Sequence, residues 1–455
     1  MSVIHAGEAL LETGWARDVR VVLDGDRITS IEAGATPQSG DYRTGMLLPA
    51  PANLHSHAFQ RAMAGLTERR GADPSDNFWT WRKAMYAFLD ALTPDDVEAI
   101  AAFVQMEMLE AGYATNVEFH YLHHGPDGRP YDNPGEMSQR IAAAAATTGV
   151  GLTLLPVLYQ QGGCDGRPLG AGQIRFGNDI SRFERLVESA GEALKSLPAD
   201  ARLGISAHSL RAVSREGLAA CIALLPSAPL HMHLAEQTGE VDEVLEFYGA
   251  RPAEWLLANA DVDARWCLIH CTQMTDQETR SLARTGAVAG LCPITEANLG
   301  DGIFNGTTWL EAGGRFGVGS DSNVRISLSE ELRQLEYSQR LRDRSRAALA
   351  TREKSAGRVL LEGAAKGGAQ AAGRKAGVIA TGKLADLVAL DTTHITLEGR
   401  SGDMALDSWV FAGDDSMVSD VWAAGRHQVR GGRHIARDAI TERYRQTIRR
   451  LGTRL

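Results

Sequence analysis

The sequence predicts an α/β protein, a (β/α)8 TIM barrel with a small β-sandwich domain built from both chain ends. Three observations predict it. Short apolar runs alternate with stretches long enough for helices, the two ends are rich in short strands, and histidines gather where the runs stop. Continuous apolar strands separated by helices indicate a parallel sheet buried on both faces. Such units, repeated through about 280 residues, match the barrel; a doubly wound open sheet is the alternative arrangement of the same units.

In chain order the predicted barrel strands are 46–57, 114–123, 150–159, 202–210, 228–237, 266–274, 287–298 and 315–323. Helical patterns lie between them at 94–111, 179–197, 239–249 and 275–285. Near the start, 19–23 and 27–32 read as strands joined by Asp24-Gly25-Asp26, a hairpin-type turn. Near the end, 387–390, 419–423 and 428–430 read as strands, the last two joined by Ala424-Gly425-Arg426-His427. Both ends lack long helices until 440–451, and one sandwich made from the two is expected because termini tend to meet. The Gly/Ala-rich segment 362–374 has the composition of a linker and the position of a closing helix or crossover. The expected segments are therefore 1–48 and 376–455 for the sandwich and 49–375 for the barrel.

Composition narrows the function classes. The 57 acidic residues outnumber the 47 basic ones, giving a formal charge of −10, which disfavours nucleic acid and anionic membrane as main partners. No stretch approaches the roughly 20 apolar residues that span a bilayer. The first residues show neither the basic flank nor the apolar run of a signal peptide. Five cysteines without a Cys-x-x-Cys pair argue for a reducing compartment, so a cytoplasmic protein is expected. The basic stretch 443–454 reads as a solvated helix face.

Of thirteen histidines, nine fall on the predicted strands or just past them: His55, His57, His120, His123, His124, His208, His231, His233 and His270. Catalytic groups of a barrel collect at the ends of its strands. His55 and His57 stand two apart and so point to one side, offering two nitrogens to a metal such as zinc. In His231-Met232-His233-Leu234-Ala235-Glu236, Glu236 stands three residues beyond His233, where the strand yields to a loop. A carboxylate placed there fits a general acid/base beside a metal ligand. His231 shares the face of His233 one layer deeper and reads as structural. His270 ends the sixth strand and Asp321 the eighth; an Asp there also suits a helix cap. Asp321 together with three histidines completes a metal site within an ordered set on strands one, five, six and eight. His120, His123 and His124 read as loop or core residues, and Cys267 and Cys271 as packing thiols.

This ordered set, with Gly382-Lys383-Leu384-Ala385-Asp386-Leu387-Val388 near the end, resembles the amidohydrolase superfamily of hydrolases and deaminases. The resemblance implies His55, His57, His233 and Asp321 as metal ligands and Glu236 with His270 as the proton-transfer pair of a deaminase. Dinuclear members carry a carboxylated lysine on strand four; here the lysine between strands three and five is Lys195, in a predicted helix. One divalent metal per chain, zinc in the first place, is therefore expected. Iron and manganese accept the same donors.

Three further segments sharpen the resemblance: residues 55–65, Trp79-Thr80-Trp81-Arg82, and 207–213, which contains His208 and Arg211. They are similar to the formimidoylglutamate deiminase family of bacterial histidine degradation. The resemblance implies a small dicarboxylate substrate, Arg82 and Arg211 on its carboxylates, Gln60, Tyr121 and His208 as further contacts, and a homodimer. Arginine supports it physically, since its planar fork pairs bidentately with carboxylates. The competing expectations are an amidohydrolase deaminase acting on a purine, pterin or adenosine derivative, and a non-enzymatic scaffold. The first would need base-stacking contacts in place of two arginines, and the second usually lacks a ligand or the acid/base residue.

Overall fold

The computed structural model describes residues 1–68 and 78–452, without the side chains of residues 78–80, 83 and 84. Trp79 and Thr80 of the tryptophan-arginine motif and Arg454 of the basic stretch thus lie outside the described residues. Parallel strands run Ala52–Ser56, Thr115–His120, Gly151–Leu158, Arg202–Leu203 with Ile205–Ala207, Leu230–Leu234, Trp266–His270, Val288–Leu291 and Arg315–Val318. Neighbours in this order are hydrogen-bonded, and a parallel bridge between Ser56 and Asp321 joins the last unit to the first. The expected barrel is therefore present and closed, which an open sheet is not. Its strands are mostly buried, as expected where helices cover the outside, with Arg202–Leu203 half-buried and Arg315 exposed at a strand start.

Several boundaries differ from the sequence reading for identifiable reasons. The predicted strand 46–57 is two strands, because Pro49 and Pro51 remove ladder donors and bracket a break at Ala50. Its first half, Tyr42–Pro49, belongs to the other sheet. The fourth strand is interrupted at Gly204, where a side chain would strike the carbonyl oxygen of Pro229 at 2.9 Å. The predicted strand 287–298 stops at Leu291, and Pro293 opens a helix, Pro293–Leu299, at the position where proline suits a helix. The segment 362–374 is no linker: Ala356–Ala371 is a helix laid across the end where the barrel strands begin. Its glycines let the backbones touch, since a Cβ on Gly368 would sit 3.0 Å from the Ala52 carbonyl oxygen.

The two chain ends share one mixed sheet. Edge to edge it runs Arg433–His434, Arg426–Arg430, Val418–Ala423, Leu387–Leu390, Tyr42–Pro49, Ser2–Leu11, Gly14–Asp24 and Arg27–Glu32. Ser2–Leu11 and Tyr42–Pro49 pair in parallel, and the other neighbours are antiparallel. Ile4, Val21, Leu23, Ile28, Leu387 and Trp422 form an apolar core separate from the barrel's. The hairpin turn is as expected, with Gly25 at φ +59°. The C-terminal portion is less purely strand than its sequence suggested, because Gly402–Ala412 is a helix that buries Leu406, Trp409 and Val410. The helix Arg437–Gly452 is docked rather than solvated: Tyr444 stacks on Phe103 with centroids 3.9 Å apart, and Arg450 pairs with Asp96. Asp386 of the 382–388 signature holds buried Arg374, which also reaches Asp200, tying barrel to sheet. Among the described residues no helix is long and apolar enough to cross a membrane.

Candidate metal centre and substrate pocket

At the ends of the barrel strands a pocket opens among His57, Gln60, Arg82, Tyr121, His208, Arg211, His233, Glu236, His270 and Asp321. Every site residue expected from the sequence is thus brought to one cavity, except His55, which lies directly behind it. The His55 ring stands 4.6 Å from that of His57 and 4.9 Å from that of His233, centroid to centroid.

The three imidazoles are prepared as nitrogen donors by their surroundings. His57 Nδ1 lies 3.1 Å from the Phe119 carbonyl oxygen and His233 Nδ1 lies 3.0 Å from that of His208. A carbonyl only accepts, so each Nδ1 carries the proton and each Nε2 keeps its lone pair. His55 is fully buried and neither of its ring nitrogens has a hydrogen-bond partner. Burial holds His55 well below the usual imidazole range and brings His57 down to about 3, so both stay neutral. Asp321 Oδ1 lies 3.3 Å from His57 Nε2 and 3.6 Å from His55 Nε2. One ligand atom from each of His55, His57 and His233 falls within 4.8 Å of the others. Nitrogen donors converging beside a carboxylate, those of His55 buried without a hydrogen-bond partner, are the donor set of a single divalent ion.

Backbone geometry fixes this cluster. The Asp321 N–H donates to the His55 carbonyl at 2.9 Å, and the His57 N–H donates to the Asp321 carbonyl at 2.9 Å. Gly319 permits that approach: a Cβ there would lie 2.6 Å from the His55 nitrogen. Asn323 adds a buried staple, its Nδ2 donating to Ser56 Oγ, the His57 carbonyl and the Asp321 carbonyl. Ala235, His270, Asp321 and Asn323 all have positive φ, between 45° and 74°. Such conformations are costly for residues with a side chain and gather at functional sites.

His270 lies between carboxylates. Its Nε2 is 3.8 Å from both Glu236 Oε1 and Asp321 Oδ2, and its Nδ1 is 3.3 Å from Glu296 Oε1. Burial would lower its pKa, but Glu236, the hydrogen bond to Glu296 and Asp321 outweigh burial and raise it to about 10. Burial pushes Asp321 up to about 7, partly offset by His270. Sequence reasoning missed Glu296, which it placed within a strand, and Asp301, a buried carboxyl near Glu236 and His270. Neither stands at a strand end, so no spacing marked them.

On the opposite side, Gln60 Nε2 donates to the Tyr121 hydroxyl at 2.8 Å, and Arg82 Nη2 donates to the Tyr159 hydroxyl at 2.8 Å. Half-buried His208 is held well below the usual range by burial, then by Arg211, Arg82 and His57. Trp81, Tyr86, Tyr159 and Phe176, with Met85, complete a largely aromatic lining that the sequence reading did not assign. His231 Nε2 donates to the Ala371 carbonyl, 2.8 Å away, as a structural side chain would. His123 and His124 likewise bond to backbone carbonyls, and Cys267 and Cys271 are buried in the core. Lys195 pairs with Glu192 on an exposed helix end and is remote from this cluster.

A family model described as "Amidohydrolase family" matches residues 46–427, spanning both the donor set and the barrel that carries it. The chain belongs to the amidohydrolase family. A second model, described as "Formimidoylglutamate deiminase HutF, N-terminal domain", matches residues 1–45 of this amidohydrolase. The chain is 47% identical over 451 residues to a formimidoylglutamate deiminase of Pseudomonas aeruginosa, covering 98% of this chain and 99% of that one. A crystal structure of an amidohydrolase from Brucella melitensis superposes with a TM-score of 0.96 at 50% identity, covering 99% and 100% of the two chains. An adenosine deaminase from Xanthomonas campestris with bound zinc shares the fold, at a TM-score of 0.83, 20% identity, and 99% and 98% coverage.

Proposed function

We propose that this amidohydrolase hydrolyses N-formimidoyl-L-glutamate to N-formyl-L-glutamate and ammonia, a step of histidine degradation. The observation that carries the reading is the 47% identity to a formimidoylglutamate deiminase along almost the whole of both chains. Two arginines, Arg82 and Arg211, in the same pocket as the histidine cluster support it, since the substrate carries two carboxylates. A purine or pterin deaminase would have no such use for paired guanidiniums, and the adenosine deaminase of this fold shares only 20% identity.

His55, His57, His233 and Asp321 would hold one divalent ion, zinc in the first place, as in that adenosine deaminase. Such an ion supplies Lewis acidity, which makes water a competent nucleophile near neutral pH. Arg82 and Arg211, with Gln60, Tyr121 and His208, hold the substrate so that its formimidoyl carbon faces the donor cluster. Water adds to that carbon; Asp321, with His270 beside it, takes the proton released. As the formyl carbonyl forms, Glu236 carries the adduct's hydroxyl proton to the terminal nitrogen and Asp321 gives up the proton it took, so that nitrogen leaves as ammonia and the bond to glutamate survives. His270 steadies the developing charge.

The chain reads as sandwich segments 1–48 and 376–455 around a barrel, 49–375. A cytoplasmic homodimer fits the family resemblance and five buried free thiols. The deciding experiment incubates metal-loaded protein with N-formimidoyl-L-glutamate and measures ammonia and the organic product together. Ammonia with N-formylglutamate is expected. Glutamate with formamide would overturn the leaving-group assignment, and no reaction at one metal per chain would overturn the substrate.

A further inference from the structure

Tyr159 follows the third barrel strand, Gly151–Leu158, and lines the pocket between Arg82 and His208. Its hydroxyl oxygen accepts two hydrogen bonds, from Arg82 Nη2 at 2.8 Å and from Gln173 Nε2 at 2.7 Å. The direction of both is fixed. A guanidinium only donates, and the Gln173 amide is oriented by its other end, where Oε1 accepts the Gly170 N–H at 2.9 Å. Both lone pairs of the phenol oxygen are thereby engaged by neighbours that cannot take its proton. The hydroxyl therefore keeps one donor, at the pocket wall, beside a guanidinium. Its ring also packs edge-on against His208, with centroids 4.5 Å apart.

We propose that Tyr159 is a further substrate-binding residue, whose O–H donates to the same substrate carboxylate that Arg82 holds. Its oxygen meanwhile orients the Arg82 guanidinium. Arg82 comes from the helix Phe78–Leu89, not from a barrel strand, and the phenol is one contact that ties it to the barrel. A carboxylate there meets a planar fork and a neutral donor already in place. This inference rests on the dicarboxylate reading above.

The test is Tyr159→Phe, which removes only the hydroxyl. KM for N-formimidoyl-L-glutamate should rise about tenfold, with kcat within about twofold. The Kd of N-formyl-L-glutamate, measured by calorimetry, should weaken by the same factor. N-formimidoyl-γ-aminobutyrate and N-formimidoyl-L-alanine each keep one of the two carboxylates. The Tyr159→Phe penalty should persist on one of them and vanish on the other, a split that a merely structural tyrosine would not produce. Adding Tyr159→Phe to Arg82→Ala should cost little more than Arg82→Ala alone. An unchanged KM, an equal penalty on both single-carboxylate compounds, or a loss confined to kcat overturns the inference. If the wild type binds N-formyl-L-glutamate through the hydroxyl but releases no ammonia, the assigned reaction fails while this inference stands. If turnover is normal and Tyr159→Phe changes nothing, the reverse holds.

Discussion

The donor wall of the pocket and its substrate wall are assembled from different materials. His55, His57, His233 and Asp321 sit on or just past strand ends, and the first and last barrel units are joined there by backbone hydrogen bonds. Arg82 comes from a helix outside the barrel, Gln60 from the short turn Ala58–Met63, and Arg211 from the loop after Ile205–Ala207. One wall is held by main chain, the other by side chain on side chain. Disturbing the first should therefore spread to metal retention and stability, whereas disturbing the second should change recognition alone.

The largest expected effect tests chemistry without touching either support. Glu236→Gln keeps size and hydrogen-bonding capacity but cannot relay a proton. Turnover should fall by roughly two to four orders of magnitude, the usual worth of a positioned acid/base. Metal analysis should still find one ion per chain. Near-normal turnover would remove Glu236 from the mechanism.

Asn323→Asp tests the main-chain wall. Aspartate tolerates the positive φ of 54° but replaces the donor that now faces two carbonyl oxygens. A buried acceptor against acceptors should cost about 2–3 kcal/mol of stability. Thermal unfolding should shift down, and the metal-to-chain ratio after gel filtration should drop below one. A variant that loses activity with stability and metal intact would show that the wall does not depend on this staple.

Much of the donor wall was legible in the sequence because a strand has period two and a barrel exposes its strand ends. His55 and His57 are two apart, and Glu236 follows His233 by three. The substrate wall was legible only through family resemblance, since nothing in the spacing of Arg82, Tyr121 and Arg211 makes them meet. Tyr159 was hidden more deeply: a tyrosine closing an apolar run looks like any core aromatic until Arg82 is folded onto it. The fold's errors have a similar origin. Periodicity cannot see that Pro49 and Pro51 divide one apolar run between two sheets, nor that Pro293 turns a strand-like run into a helix.

Arg211→Lys sharpens the comparison from the substrate side. The positive charge beside buried Glu240 is kept, so the pocket should remain folded, but the bidentate fork is lost. KM for the dicarboxylate should rise about tenfold, near 1.4 kcal/mol, while kcat, thermal stability and metal content stay close to wild type. A fall in metal content would mean that the two walls are not independent.

The smallest expected effect is the most informative about how the donor wall is limited. The family resemblance implies that a second ion would come with a carboxylated lysine on the fourth strand. That strand reads Arg202–Leu203 and Ile205–Ala207, and Lys195 lies well before it on a helix end, its ammonium 2.6 Å from Glu192 in solvent. Lys195→Ala should therefore leave turnover within about twofold and the metal ratio at one, because an exposed pair of this kind is worth little. A loss of metal or activity in that variant would place a lysine where the backbone of the fourth strand offers none. The single-ion account of the donor wall, and with it the assignment of Asp321 and His270 to the proton of the attacking water, would have to be rebuilt.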